Sequence, residues 1–151
     1  MKKRYQYKIF RMPVKTLITV IILLCGFSLS SQAQVVVIAH PSVPIDKIEQ
    51  ADLYDIYSGE TRLWHNDETV ITFDLRPKTT TKVSFYNFLG KSPSRMKSIW
   101  MVNMLSGEGD PPVSVDSEEE MLQKVANTPG AIGFLSKAKA DTLVKIIRVI
   151  E

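Results

Sequence analysis

The sequence predicts one α/β domain with a mostly parallel sheet flanked by helices. Three observations predict it. Residues 34–39 read Gln-Val-Val-Val-Ile-Ala, the unbroken apolar, β-branched pattern of a strand buried on both faces. Strand-patterned and helix-patterned segments then alternate along the chain, and such alternation builds parallel sheets with helical crossovers. The boundaries carry helix start and stop residues: Gly59, Gly90, Ser92-Pro93, Gly107 and Ser117.

Residues 1–33 are expected to lie outside this domain as a signal peptide. Lys2, Lys3, Arg4, Lys8, Arg11 and Lys15 form a cationic start without acids, and Leu17 to Phe27 is an apolar run of 11 residues. That run is well short of the roughly 20 residues a membrane span needs. Ser31 and Ala33 give the small-residue spacing of a cleavage site before Gln34. An uncleaved single-pass anchor is the alternative. Cys25 follows Leu24 rather than a small residue, which argues against a lipid-modified cysteine.

Cleavage would leave residues 34–151, which is 151 − 33 = 118 residues, enough for one domain with its own core. It would also reverse the charge. Six of the 19 basic residues lie in the leader, so 13 remain against 16 acids, and the formal charge moves from +3 to −3. Nothing in that balance favours nucleic acid as a partner. The single cysteine is Cys25, so the expected domain has no disulfide and no thiol chemistry.

The first strand ends at His40-Pro-Ser-Val-Pro44, a loop with two prolines. Ile48, Ala51, Leu53, Tyr54, Ile56 and Tyr57 then recur at helical spacing, predicting a helix from Asp46 to Tyr57 stopped by Gly59. Residues 60–68 read as a loop around Trp64. A strand follows over 69–74, then a helix over 82–89. Ser92 and Pro93 open another helix, whose apolar face is Met96, Ile99, Trp100, Asn103 and Met104. Residues 107–112 are a loop. Ser117 and Glu120 form a capping box ahead of Met121, Leu122 and Val125. Asn127 to Gly130 breaks that helix, 131–135 is a short strand, and 144–150 is a last strand at an edge. Trp64 and Trp100 are expected to be core residues.

The stretch Arg76-Pro-Lys-Thr-Thr-Thr81 concentrates the chemistry. It lies between a strand and a helix, where orphan backbone N–H groups and the helix dipole favour an anion. Thr79, Thr80 and Thr81 add hydroxyls, and Arg76 adds a planar fork of donors. A plainer reading is open too: a threonine caps the helix and Arg76 pairs with an acid. Elsewhere the candidates are weak. His40 and His65 are 25 positions apart with no cysteine between them, which does not make a metal site. Ser42 and Ser84 stand in no nucleophile motif. Glu118-Glu-Glu120 is explained by the dipole of the helix it opens.

Four segments resemble the periplasmic phosphate-binding component of ABC transporters, within the type II periplasmic binding protein family. They are Val35-Val-Val-Ile-Ala-His-Pro-Ser42, Asp52 to Trp64, Arg76 to Leu89, and Val125-Ala-Asn-Thr-Pro-Gly-Ala-Ile-Gly-Phe134. Asp52 to Trp64 is similar to that family's "F-x-G-K-I-x-x-W", Arg76 to Leu89 to its "R-x-D-x-S-G-T" loop and following helix. Residues 125–134 are similar to its "V-x-x-x-x-G-A-I-G-Y". Lys78 stands where the family has an acid, and Thr79-Thr-Thr81 lacks the family's glycine.

The resemblance implies a single three-layer lobe of the periplasmic binding protein fold; the leader pattern adds export to the periplasm, and the lack of ligand-spaced or nucleophile motifs leaves no cofactor, metal or enzymatic activity expected. The resemblance also implies a ligand of phosphate or another small oxyanion. Arg76, Thr79, Thr80 and Thr81 would be contacts, with Ser42 joining them from a loop leaving the same edge of the sheet. A membrane transporter would be the partner. The alternative is an interaction protein: a binding lobe without ligand that partners an envelope or membrane protein.

Overall fold

A computed structural model of the chain describes residues 34–150. The expected leader, Cys25 and the cleavage site lie outside the described residues. The strands are β1 (Val35–Ala39), β2 (Ile71–Leu75), β3 (Val113–Val115), β4 (Ala131–Ser136) and β5 (Lys145–Ile150). The helices are α1 (Gln50–Ser58), α2 (Thr80–Phe88), α3 (Pro93–Ser106) and α4 (Glu118–Asn127), with a short 3₁₀ turn at Lys137–Lys139.

The sheet has the order β3-β2-β4-β1-β5. β2 lies parallel to β3 and to β4, with Ile71 opposite Ala131. β1 is antiparallel to β4 and to β5, with Val35 opposite both Ser136 and Ile150. Four strands therefore point one way, as the alternating pattern predicts, and β1 alone runs against them. That reversal has a consequence for the site. Ala39 pairs with Ile132 near the start of β4, whereas β2 ends beside the far end of β4. The loops after Ala39 and after Leu75 leave opposite edges of the sheet, not one edge.

β4 shows the three layers in neighbouring residues. A Cβ on Gly133 would lie 2.5 Å from the Met121 sulfur, so glycine is what lets α4 pack on that face. Phe134 points to the other face and stacks on Phe85 of α2, ring centroids 3.9 Å apart. Tyr57, at the end of α1, joins this aromatic cluster 4.8 Å from Phe85 and donates its hydroxyl to the Phe73 carbonyl at 3.0 Å. β1 is buried throughout, in keeping with its continuous apolar run.

Several boundaries move from their expected places for visible reasons. α1 begins at Gln50 rather than Asp46, because residues 46–49 are tied to β5 instead. The Ile48 amide donates to the Ile147 carbonyl at 3.1 Å, and Arg148 reaches Glu49 at 3.2 Å. α2 begins at Thr80 because Thr79 is its cap: its hydroxyl accepts from the Lys82 amide at 3.2 Å. Ser92 and Pro93 open α3 as expected, and Gly107 closes it with φ 74°. Ser117 caps α4, but Glu120 reaches back to the Asp116 amide at 2.7 Å, one residue upstream of the usual box. β3 went unread in the sequence. It is three residues long and pairs only at the edge of β2.

Trp64 is buried, 5% exposed, and its indole donates to the Gly130 carbonyl at 2.9 Å. Trp100 is partly buried and packs against the core from α3, its indole donating to the Tyr57 carbonyl at 2.7 Å. Of the apolar face expected on α3, Met96 is fully buried while Met104 is 46% exposed. α3 is thus loosely covered, and its outer half faces a cleft.

Candidate functional site

The N-termini of α2 and α4 meet the same edge of the sheet from opposite faces, because α2 follows β2 and α4 precedes β4. Between them lies a carboxylate cradle. Glu118, with its side chain 11% exposed, accepts from the Thr81 hydroxyl at 2.5 Å, the Ser136 hydroxyl at 2.6 Å and the Ser136 amide at 3.2 Å. Burial raises the Glu118 pKa, but the hydrogen bonds from Ser136 and Thr81 and the charge of Lys139 outweigh it, and the net shift is downward. The carboxylate is held charged. Thr81 is therefore spent on the chain's own acid.

Arg76 is similarly engaged. Its guanidinium lies 3.0 Å from Asp116, both side chains being about two-thirds exposed. Such a pair is weakly bound and open to competition. Thr79 caps α2, and Thr80 is exposed. The plainer reading of this stretch, a threonine cap and a paired arginine, is what the geometry contains.

Ser42 lies at the opposite edge. Its hydroxyl donates to Glu68 at 2.9 Å and accepts from the Gly130 amide at 3.0 Å, while its own amide donates to His40 Nδ1 at 3.0 Å. It locks the 40–44 loop to the turn before β4. The expectation that Ser42 faces Arg76 and the threonines fails because β1 runs against β2.

The open feature is a cleft of about 620 Å³ between α2, α3 and the segment leading into β3. From the Arg76–Thr81 stretch only Arg76 and Lys78 line it; the three threonines do not. Lys82 and Lys97 line it as well, against Asp74 as the single lining acid; with Asp74 on Lys82 and Asp116 on Arg76, the excess is two positive charges, on Lys78 and Lys97. Lys78 and Lys97 have no ion-pair partner among the described residues. The far wall is apolar: Trp100, Met101 and Met104 on α3, with Pro111 and Pro112.

At the floor Lys82 pairs with Asp74 at 2.7 Å, their side chains 13% and 6% exposed, and also donates to the Leu75 carbonyl. Burial raises the Asp74 pKa; the Lys82 hydrogen bond and charge only partly offset it. Asp74 Oδ1 and the Tyr86 hydroxyl are both buried without hydrogen-bond geometry to any group. They still feel one another: burial, then the Asp74 charge, pushes the Tyr86 hydroxyl well above its ordinary value.

Sequence reasoning passed over Lys97, Met101 and Met104 as a set, although their spacing of four and three residues puts them on one helical stripe. It also read Asp74 only as the end of a strand. Its pairing to Lys82, eight positions on, needs the turn between them to be known.

No family model and no curated protein matches the chain. Solved structures do. It is similar to an ABC-type phosphate transport receptor from Vibrio cholerae, with a TM-score of 0.60 and 21% identity over 77% of this chain and 46% of the receptor. It is similar to a protein from Clostridium perfringens described as a phosphate ABC transporter substrate-binding protein and solved with phosphate bound. There the TM-score is 0.62 and the identity 18%, over 77% and 45% of the two chains. The protein named PstS from Borrelia burgdorferi matches at a TM-score of 0.55 and 18% identity, over 76% and 47%. The chain spans under half the length of these receptors and has the fold of that part of them.

Proposed function

We propose that the chain is an exported, solute-binding-like domain of the periplasm that takes phosphate or a similar small oxyanion in the cleft beside the start of α2. The observation that carries this reading is the charge of the cleft: Arg76, Lys78, Lys82 and Lys97 against Asp74 and the neighbouring Asp116, in a domain whose formal charge without its leader is −3. Lys78 and Lys97 supply charge, Arg76 a fork of donors once it leaves Asp116, and the first turn of α2 its dipole. No acid–base or nucleophile set converges there, which supports a binding role over an enzymatic one. The receptors it resembles supply the expectation of phosphate and of a membrane transporter as partner. Export rests on the leader pattern; protein recovered from the periplasm should begin near Gln34 by mass spectrometry, and an intact leader would overturn that part.

The site is open and wet, so binding should be weak, with Kd on the order of 0.1–1 mM. It should weaken further with salt, since charge attraction is screened beyond about 8–10 Å. Phosphate and sulfate titrations followed by amide shifts test it on wild type, Arg76→Ala and Lys97→Ala. Shifts at residues 76–83 that both substitutions weaken support the reading. Their absence at anion concentrations roughly tenfold above the weakest Kd expected retires it.

A second reading has its own observation. Val102 and Leu105 of α3, outside the cleft, are 63% and 79% exposed, and internal acids already hold Arg76 and Thr81. A ligand-free interaction protein, docking an envelope or membrane protein through α3, would look this way. Retained partner binding in Arg76→Ala and its loss in Leu105→Ser separate this reading from the first.

A further inference from the structure

We infer that the ligand of this cleft is an organic phosphate, an oxyanion headgroup carried on an apolar or aromatic body, rather than the bare inorganic ion; this rests on the anion-binding reading above. Three observations carry it. The first is size. About 620 Å³ falls within the roughly 300–1,000 Å³ of small-molecule sites, and an ion of five heavy atoms would leave most of it to water.

The second is the division of chemistry among the walls. The turn into α2 supplies Arg76, Lys78 and Lys82, whereas α3 supplies Trp100, Met101 and Met104. Lys97 links the two kinds of surface, one helical turn before Met101 on the same stripe. A ligand with a charged end and an apolar end satisfies both walls at once. A bare ion satisfies one and leaves the other wet.

The third is that the apolar wall is built. The Trp100 indole N–H is already committed to the Tyr57 carbonyl at 2.7 Å, and its ring stands edge-on to Tyr86 at 6.0 Å between centroids. The ring is therefore oriented, and what it offers the cleft is carbon surface. Pro111 and Pro112 have no N–H to give. Met101 and Met104, 44% and 46% exposed, are thioethers that adapt to an apolar body of irregular shape.

A phosphomonoester on an apolar body exists both as a soluble ester and as a lipid headgroup, and the test distinguishes the two. Inorganic phosphate, phenyl phosphate, hexyl phosphate and phenol are titrated into the protein, with amide shifts as readout. Phenyl and hexyl phosphate should bind about tenfold more tightly than inorganic phosphate, from the added apolar burial. They should shift the amides of residues 97–104, 113 and 114 in addition to those at 76–82. In Met101→Ser/Met104→Ser the ratio of phenyl phosphate to inorganic phosphate affinity should fall toward one. Both side chains are half-exposed, and an unchanged unfolding midpoint confirms that the variant is folded.

Binding to phosphatidylcholine vesicles only when they contain phosphatidic acid, lost in the same variant, assigns the lipid source. Binding of the soluble esters alone assigns the soluble one. Equal affinity for phenyl phosphate and inorganic phosphate overturns the inference and leaves the anion reading standing. Phenol binding as tightly as phenyl phosphate also overturns it, because the headgroup would then contribute nothing. No binding of any phosphate removes the anion reading and this inference together.

Discussion

The two edges of the central sheet are assembled from similar parts. At one, Ser42 contacts Glu68 and a backbone amide at Gly130; at the other, Thr81 and Ser136 contact Glu118. Both are hydroxyl–carboxylate locks that satisfy polar groups of the chain. The difference lies beside them. Next to Gly130 the indole of Trp64 fills the space and shares the Gly130 carbonyl with the Ile71 amide. Next to Thr81 the chain turns through Arg76 and Lys78 toward a cleft that no side chain fills. Hydroxyls and carboxylates therefore do not mark a binding edge here. What marks it is charge left without an internal partner.

The largest effect should come from the closed edge. Trp64→Ala removes a buried ring and one of the two hydrogen bonds to the Gly130 carbonyl, which keeps the Ile71 amide, and should cost on the order of 3–5 kcal/mol. Trp100→Ala, half-buried and facing the cleft, should cost clearly less. Urea unfolding midpoints of the two variants measure the difference; equal losses would mean the edges are equally packed.

At the open edge the floor pair comes next. Lys82→Ala leaves the Asp74 carboxylate buried and unpaired, and should cost on the order of 3–5 kcal/mol at neutral pH. Part of that loss should be recovered in acid. The folded Asp74 pKa is already raised, so the native state holds its proton more tightly than the unfolded chain. The contribution from protonation is full below the unfolded pKa and is lost as pH rises through the folded one. Lys82→Ala should widen that window, seen as a steeper fall in stability with rising pH.

Glu118 should behave with the opposite sign. Its folded pKa is lowered, so its contribution is present above the unfolded pKa and is lost as pH falls through the folded one. Glu118→Gln should cost about 1.5–3 kcal/mol near neutrality, the contribution of hydrogen bonds to a charged group. It should also flatten the acid limb of the stability–pH curve. An unchanged acid limb would show that the cradle does not hold a charged carboxylate.

Arg76→Ala should be the smallest of these, under about 1 kcal/mol in stability, because its pair with Asp116 is exposed. Its effect belongs in the anion titration. A large loss of stability with no loss of binding would reverse the assignment of the two edges.

Much of the layout was legible in the chain because it rests on local signals. The apolar run of β1, the cap and proline of α3, the stop at Gly107 and the edge position of β5 each follow from a few adjacent residues. Arg76 was legible as a donor in a turn between a strand and a helix for the same reason; that the turn borders a cleft was not. The partners of the threonines were not legible, because a hydroxyl's partner cannot be read from its neighbours in sequence. Thr81 meets Glu118, 37 positions on.

Local pattern was enough to place four of the five strands and the four helices, the alternation that makes the sheet largely parallel, and the turn that carries Arg76 and Lys78; β3 was too short to read. Those properties arise from periodicity, capping and backbone restriction, which act within a few residues. Only the tertiary structure decided that β1 runs against its neighbours, and one reversed strand sent Ser42 to the wrong edge. It decided which cations keep their charge free, because Asp116 and Asp74 reach Arg76 and Lys82 while Lys78 and Lys97 are left over. It also decided that the exposed half of α3 becomes a wall. Strand direction and ion pairing depend on contacts between residues far apart in the chain, and no local pattern carries that information.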